Sequence, residues 1–359
     1  MLDVLIVGGG IAGLNLARNI NKRNKSFMLI EAQENFGGRV SGLKHEGESK
    51  CSGHWYADLG ATWFWPHQKH IRQLVNELNI NTFEQHQSGD VLYQLQPNQP
   101  LQRHVGAGSM QSFRFEGGTT RFVQRLLKDV PTSNTLLNTA IIDLIKQGDM
   151  WIAHTNNPEC VKIEAKSVAF AIPPQQIVSR LNIGSFLTEE GHRLLSQQPT
   201  WMAAQAKFVA TYGSAFWREQ RLSGDAFSRV GPMVEIHDAS VEENDGFALF
   251  GFIGIPATQR AQLDTKKLSQ ACLEQFAQLF GENALTPVSF SLNDWQNNHW
   301  ISSQLDRNAP PRHPEAIAEA LYASRLYDTI HFAGSEFAKT EPGYLEGAIE
   351  ASTRVAASI

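Results

Sequence analysis

The sequence of 359 residues has few cysteines, no basic cluster and no long apolar run. Its three cysteines, Cys51, Cys160 and Cys272, are widely spaced and odd in number, which argues against a disulfide framework and fits a reducing compartment. The formal net charge of −5, without a cluster of lysine or arginine, argues against a nucleic-acid partner. No apolar run reaches the roughly 18 residues that span a bilayer.

The first residues also lack a positively charged region followed by a cleavage site, so they do not resemble a signal peptide. We therefore expect a cytoplasmic protein with no membrane-spanning segment. The hydrophobic content of 42% is ordinary for a globular protein, and the length allows two domains with separate cores. The sequence says nothing about the oligomeric state.

The N-terminus has the pattern of a nucleotide-binding loop. An apolar strand is predicted at residues 3–7, and three glycines follow it in G-x-G-x-x-G spacing: Gly8, Gly10 and Gly13. The first allows a tight turn, the second lets the backbone approach a pyrophosphate, and the third lets the next helix pack on the strand. The helix begins near Ile11 and Ala12, where free N–H groups favour phosphate.

A second predicted strand, residues 27–30, ends at Glu31 and Ala32. A carboxylate about 20 residues after the glycine loop accepts hydrogen bonds from ribose hydroxyls in dinucleotide-binding folds. Because strand, helix, strand and acid follow in the expected order, the sequence predicts a bound dinucleotide. This pattern alone does not distinguish FAD from NAD.

Gly38 and Arg39 follow soon after the acid, and a guanidinium suits bidentate contact with phosphate. Here the chain resembles the flavin-containing amine oxidase family, in which Glu-Ala followed by Gly-Gly-Arg is usual. The resemblance continues in a segment that runs beside the flavin ring in that family: Gly60, Ala61, Thr62 and Trp63. It implies that the cofactor is FAD.

The C-terminal region carries the other half of the resemblance. An apolar strand at residues 330–333 leads into Gly334, Ser335 and Glu336, and a helix opens at Tyr344 and Leu345. The positive end of such a helix stabilises negative charge on the pyrimidine side of a reduced flavin. Ile141, in a strand predicted around residues 139–145, completes the expected cofactor-binding set.

The resemblance implies an α/β fold with two domains. A Rossmann-like FAD-binding domain with a parallel sheet is expected from residues 1–62, 117–196 and 298–359. Residues 63–116 and 197–297 are expected to form a substrate-binding domain of mostly antiparallel sheet with helices, since this part alternates apolar and polar residues. An apolar strand at residues 168–172 should stop at the following prolines.

Three residues are expected to act on substrate. Tyr344 matches one wall of the aromatic cage that flanks the amine in the family, and an electron-rich ring suits that role. Lys207 matches the lysine that holds a water against flavin N5 in relatives, because the aromatic pair after it keeps the family offset. Trp295 resembles a tryptophan near the flavin ring; the alternative for it is a plain core residue.

The chain also departs from the family pattern. Counting from Trp295, the second cage aromatic falls on Leu305, with Trp300 or another ring as a possible spatial substitute. The position of the flavin-linking cysteine in some members falls on Gln304, and no cysteine is near. We therefore expect non-covalent FAD and half of an aromatic cage.

One rival pattern is a metal site. Four residues have the spacing C-x2-H…H-x2-H, which is superficially that of a zinc site: Cys51, His54, His67 and His70. The segment between the pairs contains the residues already matched to the flavin, and its tryptophans are typical of packing. We therefore expect no metal.

The leading hypothesis is an FAD-dependent oxidoreductase that oxidises an amine to an imine by hydride transfer to flavin N5. Reoxidation would use oxygen or another acceptor. Alternatives are a C–C bond desaturase resembling protoporphyrinogen oxidase, an NAD(P)H oxidase resembling renalase, and a non-catalytic FAD-binding module.

Overall fold

The computed structural model describes residues 1–44, 55–106, 110–241, 246–309 and 311–359. Its β-strands, numbered along the chain, are β1 Leu2–Val7, β2 Phe27–Ile30, β3 Gly42–Lys44, β4 Tyr56–Asp58, β5 Thr82–Glu84, β6 Asp90–Gln94, β7 Gln102–Val105, β8 Phe113–Phe115, β9 Thr135–Leu136, β10 Ile141–Gln147, β11 Met150–Thr155, β12 Lys162–Phe170, β13 Ala206–Thr211, β14 Leu222–Ser228, β15 Met233–Asp238, β16 Ala248–Ile253, β17 Ser289–Asp294 and β18 Ile330–Phe332.

The α-helices are α1 Ile11–Lys22, α2 Lys69–Glu77, α3 Thr119–Leu127, α4 Pro174–Arg180, α5 Glu189–Gln197, α6 Phe216–Glu219, α7 Ala257–Arg260, α8 Thr265–Phe280, α9 Gln304–Asn308, α10 Ala318–Ala323 and α11 Leu345–Ser358. Among the described residues, none of these helices is both long enough and apolar enough to cross a bilayer.

The first sheet is built around a parallel centre. Its order is β10-β11-β12-β1-β2-β9, and β18 also pairs with β12. β1 is parallel to both β12 and β2, and β18 is parallel to β12. The strand expected at residues 168–172 begins much earlier, at Lys162, and ends at Phe170. Pro174 then starts α4, where a proline is tolerated because the first helical N–H needs no partner.

The second sheet has the order β17-β13-β16-β15-β14-β6-β7. Its pairs are antiparallel except β14 with β6. Helix α8 covers it through Cys272, Phe276 and Phe280, which lie in one core cluster with residues of β13 and β16. The fold class expected from the sequence, a Rossmann-like α/β domain with a second sheet domain, is confirmed. The strands of the two sheets fall in the two sets of segments given above, whose boundaries stay a prediction.

The two ends of the chain pack together. Helices α1 and α11 are in contact, and Asn15 of α1 donates hydrogen bonds to Ser352 at 2.9 Å and to Thr353 at 3.2 Å. Val4, Leu14, Ala348 and Val355 share one buried cluster with their neighbours. The glycine loop and the start of α11 therefore face a common space.

Candidate active site

A cavity of about 580 Å³ is lined by residues of both sheets. Most of the sequence-predicted residues lie on its wall: Gly8, Gly10, Ile11, Ala12, Glu31, Ala32, Gly38, Arg39, Gly60, Ala61, Thr62, Trp63, Ile141, Lys207, Trp295, Gly334, Ser335, Glu336, Tyr344 and Leu345. Gly13 does not line it. The cavity thus joins residues from both chain ends and from the second sheet.

The three loop glycines have different structural reasons. Gly8 has φ +102°, a conformation that favours glycine. A Cβ on Gly13 would lie 1.8 Å from the carbonyl oxygen of Gly8, so helix packing requires glycine there. Gly10 has an ordinary φ of −72°, and a Cβ on it would meet no protein atom closer than 3.8 Å. Neither packing nor conformation explains Gly10, whereas a phosphate held against its backbone does.

Glu31 lies at the end of β2 with its carboxylate tied to the glycine loop. One oxygen accepts a hydrogen bond from the Gly9 amide at 2.6 Å and the other from the Gln33 amide at 2.9 Å. Burial raises the pKa of this carboxyl, and the hydrogen bonds to Gln33 and Gly9 oppose that effect. The anchored side chain still lines the cavity, where ribose hydroxyls are its natural donors.

Arg39 connects the N-terminal and C-terminal parts of the site. Its guanidinium forms an ion pair with the buried carboxylate of Glu336 at 2.7 Å and donates to the Ser335 hydroxyl at 2.7 Å. It also donates to the Trp201 carbonyl at 3.0 Å. These contacts hold the side chain rigidly at the cavity wall. Phosphate contact by Arg39 stays a prediction.

Lys207 is buried at the edge of the cavity on β13. Its ammonium donates to the Thr62 hydroxyl at 2.6 Å and to the Gly60 carbonyl at 3.3 Å. It also lies 3.8 Å from the centre of the Phe250 ring, within the range of a cation–π contact. Lys207 therefore contacts residues 60–63, the segment that the family resemblance matches to the flavin ring.

Burial lowers the pKa of Lys207 to about 7, and the nearby Asp58 carboxylate only partly opposes this. Asp58 is itself paired with Arg114 at 3.1 Å, inside the protein. The lysine has no carboxylate in direct contact among the described residues, so desolvation dominates. Its surroundings therefore favour the neutral amine far more than water does.

Aromatic rings form the cavity wall near Tyr344. Trp65 meets the Tyr344 ring edge-on with centroids 5.7 Å apart, and Trp201 lies 6.1 Å from it. His313 stacks on the Trp201 ring at 3.6 Å. Trp65, Trp201 and Tyr344 line the cavity. Tyr344 is therefore one of several rings here, and the cavity does not depend on a single aromatic.

Trp295 is buried and packs with Ala203 and Ile301. One of its ring carbons would lie 3.2 Å from a Cβ on Gly60, so glycine at that position lets the indole approach the segment beside it. Leu305, by contrast, is absent from the cavity wall and lines a small separate depression with Pro199 and Ala309. The residue that sequence counting placed at the second cage position therefore does not face this cavity.

Sequence reasoning missed several residues of the wall, including Trp65, Gln176, Arg180, Trp201, Gln205, Glu235 and Phe252. Arg180 stacks over the Trp300 ring at 3.9 Å and donates to the Gln176 side chain at 2.9 Å. Only the register of β13 and β16 brings Phe252 beside Lys207. Strand alternation in β15 and β16 was the one available signal, but it does not identify the inward face.

The rival zinc pattern falls only partly within the described residues. Cys51 and His54 lie outside the described residues. The His67 ring is 2.7 Å from the Glu341 carboxylate, and the His70 backbone donates to Glu346 at 3.0 Å. In the described ranges, histidine, cysteine and acidic side chains form no group of three or more able to hold a metal ion.

A sequence profile of flavin containing amine oxidoreductases matches residues 97–359. The chain belongs to that family. A second profile, of NAD(P)-binding Rossmann-like domains, matches residues 6–78 and covers the glycine loop and Glu31. The family uses FAD, and the groups around Gly10, Glu31 and Arg39 on the cavity wall fit a dinucleotide.

Individual relatives support the same family along the whole chain. The sequence is 23% identical to the probable flavin-containing monoamine oxidase A of Dictyostelium discoideum, over 100% of this chain and 97% of that protein. It is 23% identical to an L-amino acid dehydrogenase of Synechocystis, over 99% and 94%. The fold matches a double mutant of putrescine oxidase with a TM-score of 0.80 and 20% identity, covering 99% of this chain and 98% of that one.

Proposed function

We propose that this member of the family oxidises a primary or secondary amine to an imine, which water then hydrolyses. The supporting observation is one cavity whose wall carries Glu31 and the glycine loop together with Lys207 and Tyr344. A nucleotide site alone would not need the second sheet. The oxidant is FAD, which is regenerated by oxygen or another electron acceptor.

FAD held by the wall residues around Gly10, Glu31 and Gly60 would supply a hydride acceptor for the oxidation of the amine. The chain's residues supply position and electrostatics. The rings of Tyr344, Trp65 and Trp201 form an apolar wall that holds the amine carbon and excludes water. With a pKa of about 7, Lys207 is able to give or take a proton near neutral pH, and its ammonium is aimed at the segment beside the ring site.

We propose that the FAD is held without a covalent bond. The described cysteines are Cys160, which is half-buried, and Cys272, which is buried in α8. Neither lines the cavity. Precipitating the protein with heat or acid should release free FAD into the supernatant, and flavin that stays with the polypeptide would contradict this assignment.

We assign the catalytic roles to Lys207 and Tyr344, and the support role beside the ring to Trp295. The remaining wall residues predicted from the sequence are assigned to the cofactor. The segments 63–116 and 197–297 are proposed to bind the substrate, because they supply Lys207 and most of the aromatic wall.

A desaturase acting on a C–C bond is less well supported than the sequence suggested. That hypothesis rested on an apolar wall at Leu305, which lies outside the cavity. The wall instead carries the partly exposed carboxylate of Glu235 among its rings, and a carboxylate suits a basic substrate better than a hydrocarbon.

The test is anaerobic reduction of the bound flavin, followed by absorbance. A panel of amines, polyamines and amino acids, with NADH and apolar ring compounds as comparisons, separates the candidate functions. We expect bleaching by at least one amine and none by NADH. Rapid bleaching by NADH alone would favour the NAD(P)H oxidase, and a flavin that no compound bleaches would favour the non-catalytic module.

A further inference from the structure

A line of three ionisable side chains in the second sheet ends on the cavity wall. The buried carboxylate of Asp225 lies 2.8 Å from Nδ1 of His237, and Nε2 of the same ring lies 2.8 Å from the Glu235 carboxylate. Glu235 lines the cavity, whereas Asp225 and His237 lie behind it. The mechanism proposed above uses none of the three.

The two carboxylates beside His237 favour the charged form of its ring. Burial by itself would lower the pKa of His237, but the hydrogen bonds to Asp225 and Glu235 raise it to about 9. Two carboxylates and one imidazolium leave a net charge of −1. Because Asp225 faces inward, the excess negative charge is presented to the cavity by Glu235, whose side chain is 44% exposed.

The other charged groups on the wall are accounted for. Glu336 is paired with Arg39, and Glu31 is held by backbone amides at the opposite part of the wall. Lys207 donates to uncharged oxygens, and Arg180 contacts Gln176 and the Trp300 ring on the side of α4. Within the described residues, Glu31 and Glu235 are therefore the wall carboxylates without a lysine or arginine partner. Two backbone amides already bind the oxygens of Glu31, whereas the partner of Glu235 is the side chain of His237.

Strand register places Glu235 near the reacting end of the cavity. Glu235 on β15 pairs with Phe252 on β16, and Phe252 pairs with Lys207 on β13. Directly opposed residues in antiparallel strands point to the same face, so the three side chains form a row. Two strand spacings separate Glu235 from Lys207, roughly 10 Å.

The histidine beside Glu235 on the same strand face is itself held by aromatic packing. The His237 ring meets Trp63 edge-on with centroids 5.1 Å apart and lies 5.4 Å from Phe250. Glu235 therefore sits on a fixed imidazolium and cannot move away from the cavity without breaking that hydrogen bond. A carboxylate fixed in this way is preorganised for a cation.

We propose that Glu235, oriented by His237 and Asp225, binds a second cationic group of the substrate, so that the preferred substrates are diamines or polyamines. The inference rests on the proposed amine oxidation. One nitrogen reacts beside Lys207 while the other, protonated, pairs with Glu235. An α-amino acid, whose second charge is negative, is disfavoured by the same carboxylate.

The experiment compares diamines with alkylamines of equal chain length, using the holoprotein and anaerobic flavin reduction. The quantity measured is the ratio of the second-order reduction rate constants at each length. In the wild type we expect the ratio to reach roughly 10- to 100-fold at the best length, the effect of one charge-assisted contact. A ratio near one at every length would overturn the proposal.

Variants make the assignment specific. Glu235→Gln should bring the ratio close to one. Glu235→Asp should retain a preference but move it to a longer diamine, since the carboxylate is one methylene shorter. Glu282→Gln removes the same charge from an exposed position of the second domain and should keep the wild-type ratio. A Glu235→Gln protein that keeps the full ratio would contradict the role of this carboxylate.

Failure of the two proposals is distinguishable. If alkylamines reduce the flavin and diamines reduce it no faster, amine oxidation is supported and the second-cation site is contradicted. If no amine of either kind reduces the flavin, amine oxidation falls. In that case the cation site is supported if diamines shift the spectrum of the oxidised flavin saturably and this shift is lost in Glu235→Gln. If diamines cause no such shift, the cation site is contradicted as well.

Discussion

The two ends of the cavity are built in different ways. The proposed nucleotide end comes mainly from one short stretch, where Gly8 and Glu31 each have a local backbone reason for their position and Gly10 leaves open space beside its backbone. The end proposed to bind the amine, called the amine end, is assembled from β13, β15, the start of α11 and the segment around Trp63. The residues of the nucleotide end are thus close together in the sequence, whereas the residues of the amine end are brought together only by the tertiary fold.

The strongest test of the amine end is the removal of its buried cation. Lys207→Met keeps most of the length and the apolar stem of the side chain but removes the amine that contacts Thr62 and Gly60. We expect the turnover of the best amine to fall by roughly 100-fold, the lower range for a positioned proton-transfer group. Steady-state kinetics at fixed flavin content measure the effect.

Lys266→Met is the matched control, because Lys266 is exposed at the start of α8. It should keep normal turnover. If Lys207→Met also keeps normal turnover, the buried lysine only packs. The proposed catalytic role of the amine end is then contradicted.

At the nucleotide end, alanine substitutions of two glycines should have different effects, one on stability and the other on FAD affinity. Gly13→Ala places a methyl group against the carbonyl of Gly8 and should destabilise the fold by about 1–3 kcal/mol or more. Gly10→Ala meets no close protein atom, so the apoprotein should keep its thermal midpoint while its affinity for FAD falls. Thermal unfolding and fluorescence titration with FAD separate the two outcomes. Equal loss of stability in both variants would contradict the assignment of Gly10 to the phosphate.

Two buried bases of the second sheet should give opposite pH dependence. The folded pKa of Lys207, about 7, is below its ordinary value of 10.5, so its contribution to stability increases as pH rises from about 7 toward 10.5. The folded pKa of His237, about 9, is above its ordinary 6.5, so its contribution is complete below 6.5 and is lost as pH rises toward 9. Each slope approaches about 1.4 kcal/mol per pH unit.

Between pH 7 and 9 these slopes oppose each other, and single variants should reveal them. Denaturant unfolding of Lys207→Met should show stability falling more steeply with pH than in the wild type. His237→Gln should show the reverse. Parallel pH curves for all three proteins would mean that neither group titrates as its surroundings dictate.

The smallest expected effect is at Tyr344. Its hydroxyl is 3.4 Å from the His313 ring, a weak contact, while its ring packs on Trp65. Tyr344→Phe preserves the ring and should change the rate of flavin reduction by less than about fivefold, whereas Tyr344→Ala should lower it more. If the two substitutions have equal effects, the ring contributes nothing at this wall.

Much of the nucleotide end could be predicted from sequence because glycine spacing and a strand-terminal acid are local signals. The amine end was predicted only in part. Lys207 and Tyr344 were found through family spacing. Glu235 faces the cavity because of strand register, and Trp201 because of the turn between α5 and β13; sequence gives neither. Leu305 was wrongly included rather than missed. Counting along the chain from Trp295 placed it on the wall of the cavity, but it lines a separate depression.

The central claim is that FAD lies along this cavity with its ring between Lys207 and Tyr344 and its adenosine at Glu31. A crystal structure of the purified yellow holoprotein tests it most directly. The account predicts electron density for the isoalloxazine ring beside Gly60 and Lys207 and for the ribose at Glu31. Flavin density elsewhere, or a folded protein that is colourless and takes up no FAD, would contradict it.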